Sequence, residues 1–264
     1  MTRNLLDHES DYSVHGTAGP WVILCHGLGM DRHMFASQVE ALSSYRVVTW
    51  DAPGHGVTLG AHDVGIAAGA RRLHALLDRL DIAAAHLDGQ SMGGYIAQDV
   101  TRLAPDRVLS FMSIGSTPLG ENYYSGLDKL SLRWAGRIIE FYPWSWLVHQ
   151  TARECAESKQ ARAYVVRTLG QHSKRGFSHL ATSVYRELLD RRSPVGFGCP
   201  VLLTVGVSDG VGRVQQYTRE WGARLGVGVQ EVPGAAHNAN MDNAPYFNEV
   251  LKVFLVNAAI AHDA

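Results

Sequence analysis

Short apolar runs rich in β-branched residues alternate along the chain with stretches whose apolar positions recur at helical spacing. The runs Trp21 to Cys25, Arg46 to Trp50, Ala85 to Gly89, Val108 to Ile114, Val201 to Val205 and Val227 to Val232 predict strands. Between them, Leu73, Leu76, Leu77 and Leu80 fall on one side of a helix whose other side carries Arg71, Arg72, Asp78 and Arg79. A second helix places Ile96, Val100 and Leu103 together and stops at Ala104-Pro105, where proline ends the backbone ladder. A last helix begins near Asn243-Ala244-Pro245 and turns Phe247, Val250, Leu251 and Phe254 inward. Strands that alternate with helices predict an α/β fold, a mostly parallel sheet covered on both faces.

The alternation stops from Pro118 to Pro194, a stretch that reads as several helices without a strand. It predicts a helical cap inserted at 118–194 into a core made of 1–117 and 195–264. At 264 residues the chain suffices for one principal domain with such an insertion.

Composition narrows the function classes. With a formal net charge of −1, no long-range field gathers a polyanion, so neither nucleic acid nor an anionic membrane is an expected partner. Cys25, Cys155 and Cys199 are odd in number and lack CxxC spacing, which argues against a disulfide framework or zinc site and for a cytoplasmic location. Residues 1–12 carry Arg3, Asp7, His8, Glu9 and Asp11 without an apolar run, so a secretory signal is not expected. No stretch approaches the roughly 20 apolar residues of a membrane span.

The candidate chemistry begins at Gly89-Gln90-Ser91-Met92-Gly93-Gly94, between a predicted strand and a predicted helix. A serine at such a turn is a nucleophile elbow, strained in backbone and flanked by small residues that let strand and helix approach. His26-Gly27-Leu28-Gly29 ends the first apolar run; there the Leu28 N–H, with that of Met92, would bind a substrate oxyanion. His26 itself reads as a hydrogen-bonded structural histidine, though it, Gly27 and Gln90 are also candidates for the pocket wall. Asp209, four residues past Val205, and His237, past the final strand, supply a carboxylate and an imidazole. A serine hydroxyl needs an imidazole to take its proton, and the imidazole needs a carboxylate to fix its tautomer.

Ser, Asp, His is the order of the α/β-hydrolase superfamily, which the chain resembles over nearly its whole length. The resemblance rests on residues 25–29, Asp51-Ala52-Pro53-Gly54-His55-Gly56, residues 90–94, Val205-Gly206-Val207-Ser208-Asp209 and Pro233-Gly234-Ala235-Ala236-His237. It implies a helical cap after the strand that follows the nucleophile helix, and a structural role for the Asp51 and His55 loop. Gln90 stands where many relatives have histidine, Ala236 replaces a frequent glycine, and no proline follows Asp209.

Residues 27–32 begin like a dinucleotide fingerprint but have Arg32 at the third glycine, and there is no GK[ST]. No HExxH or compact histidine and carboxylate cluster suggests a metal, and no cofactor is implied. In the insertion, Trp134, Phe141, Tyr142, Trp144 and Trp146 either wall an apolar pocket, hold the cap to the core, or form a dimer contact. The expected reaction is hydrolysis of a small carboxylic ester or lactone through Ser91, His237 and Asp209. Cleavage of a C–C bond in a dienoate or diketone, cofactor-free perhydrolase or haloperoxidase-like activity, and a ligand receptor on the same fold are the alternatives.

Overall fold

The computed structural model describes residues 11–190 and 195–263, so the proposed boundary at Pro194 and the polar stretch at residues 1–10 lie outside the described residues. Among the described residues, seven strands form one sheet: β1 (Tyr12–His15), β2 (Trp21–Cys25), β3 (Arg46–Trp50), β4 (Ala85–Gln90), β5 (Val108–Ile114), β6 (Val201–Gly206) and β7 (Val229–Val232), in the order β1-β3-β2-β4-β5-β6-β7. All neighbours are parallel except β1, which runs antiparallel to β3.

Each central strand is apolar on both faces because both are covered. On β2, Val22 and Leu24 join one core with Phe247, Leu251 and Leu255, whereas Ile23 and Cys25 join another with Leu73, Leu77, Ile96 and Trp221. The helices follow suit. α1 (Ala36–Ala41) and α10 (Ala244–Asp263) pack together on the first face, while α2 (Ile66–Arg79), α3 (Met92–Leu103) and α8 (Val214–Leu225) supply the second core. The short α9 (Ala239–Asp242) precedes α10. Between β5 and β6 the chain forms α4 (Gly126–Phe141), α5 (Trp144–Cys155), α6 (Lys159–Leu169) and α7 (Lys174–Asp190), and among the described residues 118–190 there is no strand. No helix of the described residues is long and apolar enough to cross a membrane.

Four details depart from the sequence pattern, the first being Arg72, expected on the polar side of α2 but buried there against Asp11 at 2.6 Å. The four-residue β1 was not predicted; its alternation is too short to register. The last strand starts at Val229 rather than Val227, because Gly226, at φ 69°, ends α8 in the left-handed conformation and the Val227 N–H turns back to the Gly222 carbonyl. Leu103 is 57% exposed, so the buried part of α3 ends at Thr101.

β2 is flanked by β3 on one side and β4 on the other, so the connections leaving β2 and β4 diverge and open a crevice at their carboxyl ends. Leu28 follows β2 there and Ser91 follows β4.

Candidate active site

Ser91 joins β4 directly to α3 and holds φ 48° and ψ −113°, a region that costs a non-glycine residue about 1–3 kcal/mol. Neighbouring contacts enforce it. The Ser91 N–H donates to the Ile114 carbonyl at 2.9 Å, and the Ser91 carbonyl accepts from Gly94 N–H at 2.9 Å. A side chain at Gly93 would place its Cβ 2.0 Å from the Cys25 carbonyl oxygen, so α3 can start this close to β2 only with glycine there. Tight packing of this kind keeps the serine strained rather than letting it relax.

Asp209 and His237 arrive on loops from β6 and β7 that are stitched together: Ser208 N–H donates to the Ala235 carbonyl at 2.9 Å, and Val207 N–H to Val232 at 3.1 Å. The side chains meet. His237 Nδ1 lies 2.9 Å from Asp209 Oδ2, and the Asp209 Oδ1 accepts from Val211 N–H at 3.0 Å. The Asp209 carboxyl is fully buried, so the imidazole and the amide take the place of its water shell. With Nδ1 engaged as donor, Nε2 is the ring nitrogen left for proton exchange.

Ser91, His237, Leu28 and Met92 all border one cavity of about 280 Å³. Its remaining wall is mainly apolar, with Leu132 and Ala135 from α4, Val184 and Leu188 from α7, and Val211 and Val214 near α8. Polar groups sit at two places. Tyr95, Thr117 and Tyr124 form a hydroxyl ladder with spacings of 2.8 and 2.6 Å, and burial raises both phenols above their ordinary range, so they stay protonated donors. Asp128 Oδ2 accepts from Ser125 Oγ at 2.5 Å, from the Tyr217 hydroxyl, and from Arg213 at 3.4 Å. The Ser125 bond first, then that of Tyr217, holds the Asp128 carboxyl below the usual range.

Several residues predicted for the pocket wall lie elsewhere. His26 is 1% exposed and does not line this cavity; its Nε2 accepts from Ala52 N–H at 2.9 Å and its Nδ1 meets the Gly27 carbonyl at 2.9 Å. Gln90, with Gly27 against its side-chain amide, is buried behind the site and donates to the His237 carbonyl at 3.1 Å. It therefore braces the histidine's backbone rather than facing a ligand. The aromatic residues of the insertion are also absent from this wall: Trp134, Tyr142 and Trp146 are about half exposed, Phe141 is 84% exposed, and Trp144 packs on Phe177. Aromatic content gives no direction, and here it marks outward faces. The wall residues that sequence reasoning missed were partly signalled: Tyr95 is one helical turn beyond Ser91, and Ser125-x-x-Asp128 is a helix-start pattern in which Ser125 Oγ accepts from Asp128 N–H.

Comparison with known proteins agrees with the fold. A family model described as alpha/beta hydrolase fold matches residues 20–244. The dihydrolipoyllysine-residue acetyltransferase component of the acetoin cleaving system of Pseudomonas putida is 41% identical over 112 residues, 42% of this chain and 30% of that protein. The pimeloyl-(acyl-carrier protein) methyl ester esterase of Photobacterium profundum is 33% identical over 101 residues, 38% of each chain. The matched stretch thus spans about a third of the length of these curated relatives. A thermophilic esterase from Thermogutta terrifontis superposes with a TM-score of 0.77 at 19% identity, covering 94% of this chain and 93% of that one, a likeness of fold.

Proposed function

The chain belongs to the alpha/beta hydrolase fold family, and from that premise we propose that it is a serine hydrolase that cleaves a small, largely apolar carboxylic ester or lactone through an acyl-enzyme. The observation that carries this reading is the 2.9 Å contact of His237 Nδ1 with the buried Asp209, beside a cavity that Ser91 and His237 share. Asp209 holds the imidazole with Nε2 directed away from the carboxyl, and Nε2 takes the Ser91 hydroxyl proton as Oγ attacks the substrate carbonyl. The C=O electron pair moves onto oxygen, where the Leu28 and Met92 N–H groups receive it; Met92 opens α3, whose first amides have no partner inside the helix. Collapse of the tetrahedral species expels the alkoxide with the proton from His237, leaving the acyl group on Ser91. Water, deprotonated by the same imidazole, then releases the carboxylic acid.

The apolar wall, with its few polar groups set apart, suits an uncharged acyl or alcohol portion. The methyl ester esterase among the relatives is consistent with this chemistry in that protein. Replacing Ser91 with alanine is expected to lower turnover of a short-chain p-nitrophenyl ester by roughly 10⁶-fold with an unchanged melting temperature. Retention of most activity in that variant rules the assignment out.

A further inference from the structure

Helix α4 has two working faces. Asp128, Ser131, Leu132 and Ala135 border the cavity, whereas Leu127, Leu130, Trp134, Ile138 and Phe141 stand exposed on the outside, between 46% and 84%. The outward set follows the helical period, so it forms one stripe. Tyr142 and Trp146, stacked at 5.2 Å and about half exposed, extend it beyond the helix end. Five large apolar side chains exposed to this degree reach the upper end of the ~300–600 Å² of the largest patch on a typical monomer and approach the ~800 Å² that each partner contributes to a standard interface.

The spacing of the stripe is palindromic. Counted from Trp134, its members stand at −7, −4, 0, +4 and +7. An antiparallel pairing of two copies about a two-fold axis at Trp134 therefore sets Leu127 on the partner's Phe141, Leu130 on the partner's Ile138, and Trp134 on its own equivalent. Every apolar position meets an apolar position, the self-complementarity that an isologous interface requires. Arg133 and Arg137 flank the stripe on one side, and the Arg137 guanidinium lies 4.8 Å over the Trp134 ring, so each copy brings one cation to the middle of the stripe, where the indole face receives its charge.

We propose that this face is the interface of a homodimer, formed by antiparallel packing of α4 from two copies. Each copy would then hold the other's α4 from outside, beside the face of that helix that lines the cavity. This inference is independent of the chemistry assigned to Ser91.

Sedimentation velocity on the full chain from about 1 to 50 µM tests it, since a working dimer has a dissociation constant in or below that range. The expected species has twice the 28.9 kDa mass of the chain. Leu130→Glu, at an exposed site, is expected to weaken association at least tenfold without moving the melting temperature by more than a degree or two. The double variant Leu130→Glu/Ile138→Lys regains the dimer, because the two substituted positions meet as opposite charges twice across the axis. A wild-type monomer throughout the range overturns the proposal, and co-sedimentation of that monomer with phosphatidylglycerol vesicles assigns the stripe to lipid instead. A dimer indifferent to Leu130→Glu, or a double variant that stays monomeric, overturns the interface as drawn.

Discussion

Ser91 keeps a backbone conformation that free peptide would abandon, and the force that keeps it is steric. The Gly93 Cα faces the Cys25 carbonyl so closely that no methyl group fits between them. Gly93→Ala must push the start of α3 away from β2, moving the Met92 amide relative to Ser91 Oγ. Such overpacking costs about 1–3 kcal/mol, and in the proposed reaction a displaced oxyanion donor costs about 10²–10³ in turnover. A thermal melt and steady-state kinetics on that variant should therefore both fall, with turnover the more affected. A loss of stability at full turnover would separate the elbow from the oxyanion site. Ser91, Asp209 and His237 are legible in the sequence at this scale because each sits just past a strand in a glycine-bearing turn. Gln90 is not, since its neighbour Ser91 faces the cavity while its own amide turns back to the His237 carbonyl.

At the scale of elements, Asp128 fastens α4 to α8 over the cavity, with Ser125 and Tyr217 as its principal donors. Removing the phenol hydroxyl in Tyr217→Phe takes one hydrogen bond from a charged acceptor, worth about 1.5–3 kcal/mol, and also leaves the Ser125 N–H without the acceptor it holds at 3.1 Å. The expected result is faster amide exchange in the first turns of α4 and a higher KM at nearly constant kcat, because substrate binding loses a wall and the reacting groups do not move. Unchanged exchange in α4 would mean that the Tyr217 hydroxyl does not hold it. The parallel strands are readable from sequence because burial on both faces writes continuous apolar runs. The α4 wall is not: a helix with Leu132 inward and Leu130 outward looks apolar all round, and only its packing on α7 decides which side meets the cavity.

For the molecule as a whole, buried titratable groups set the response to pH. Asp88, on β4, is fully buried with neither carboxyl oxygen hydrogen-bonded among the described residues, and burial raises it to about 8. Between about pH 4 and 8 the unfolded chain ionises this group while the folded chain keeps its proton, so stability falls as pH rises through that window. His26, His55 and His172 act in the opposite sense. Their rings meet edge to face in sequence at 4.8 and 5.7 Å, tying the loop after β3 to the α6–α7 connection, and burial lowers all three, His172 to about 4. As pH falls from 6.5 toward 4 the unfolded chain takes up protons that the folded chain refuses, and stability is lost. The three histidines outnumber the one aspartate in the acid range, so the melting temperature should peak near pH 6.5. Asp88→Asn should flatten the decline from pH 6.5 to 8, which amounts to about 2 kcal/mol at ~1.4 kcal/mol per unit and proton. Melting curves from pH 4 to 9 on both proteins decide it; an alkaline limb unchanged by the substitution would assign the decline to another group.

The proposed chemistry stands on the nucleophilicity of one alcohol, conferred by His237 and Asp209. Treating the protein and its His237→Ala variant with a fluorophosphonate, then mapping the adduct by peptide mass spectrometry, measures that directly. A single adduct on Ser91, formed by the wild-type protein and slowed by several orders of magnitude in the variant, is the predicted result. An unlabelled Ser91, or labelling that proceeds equally without the imidazole, would contradict it.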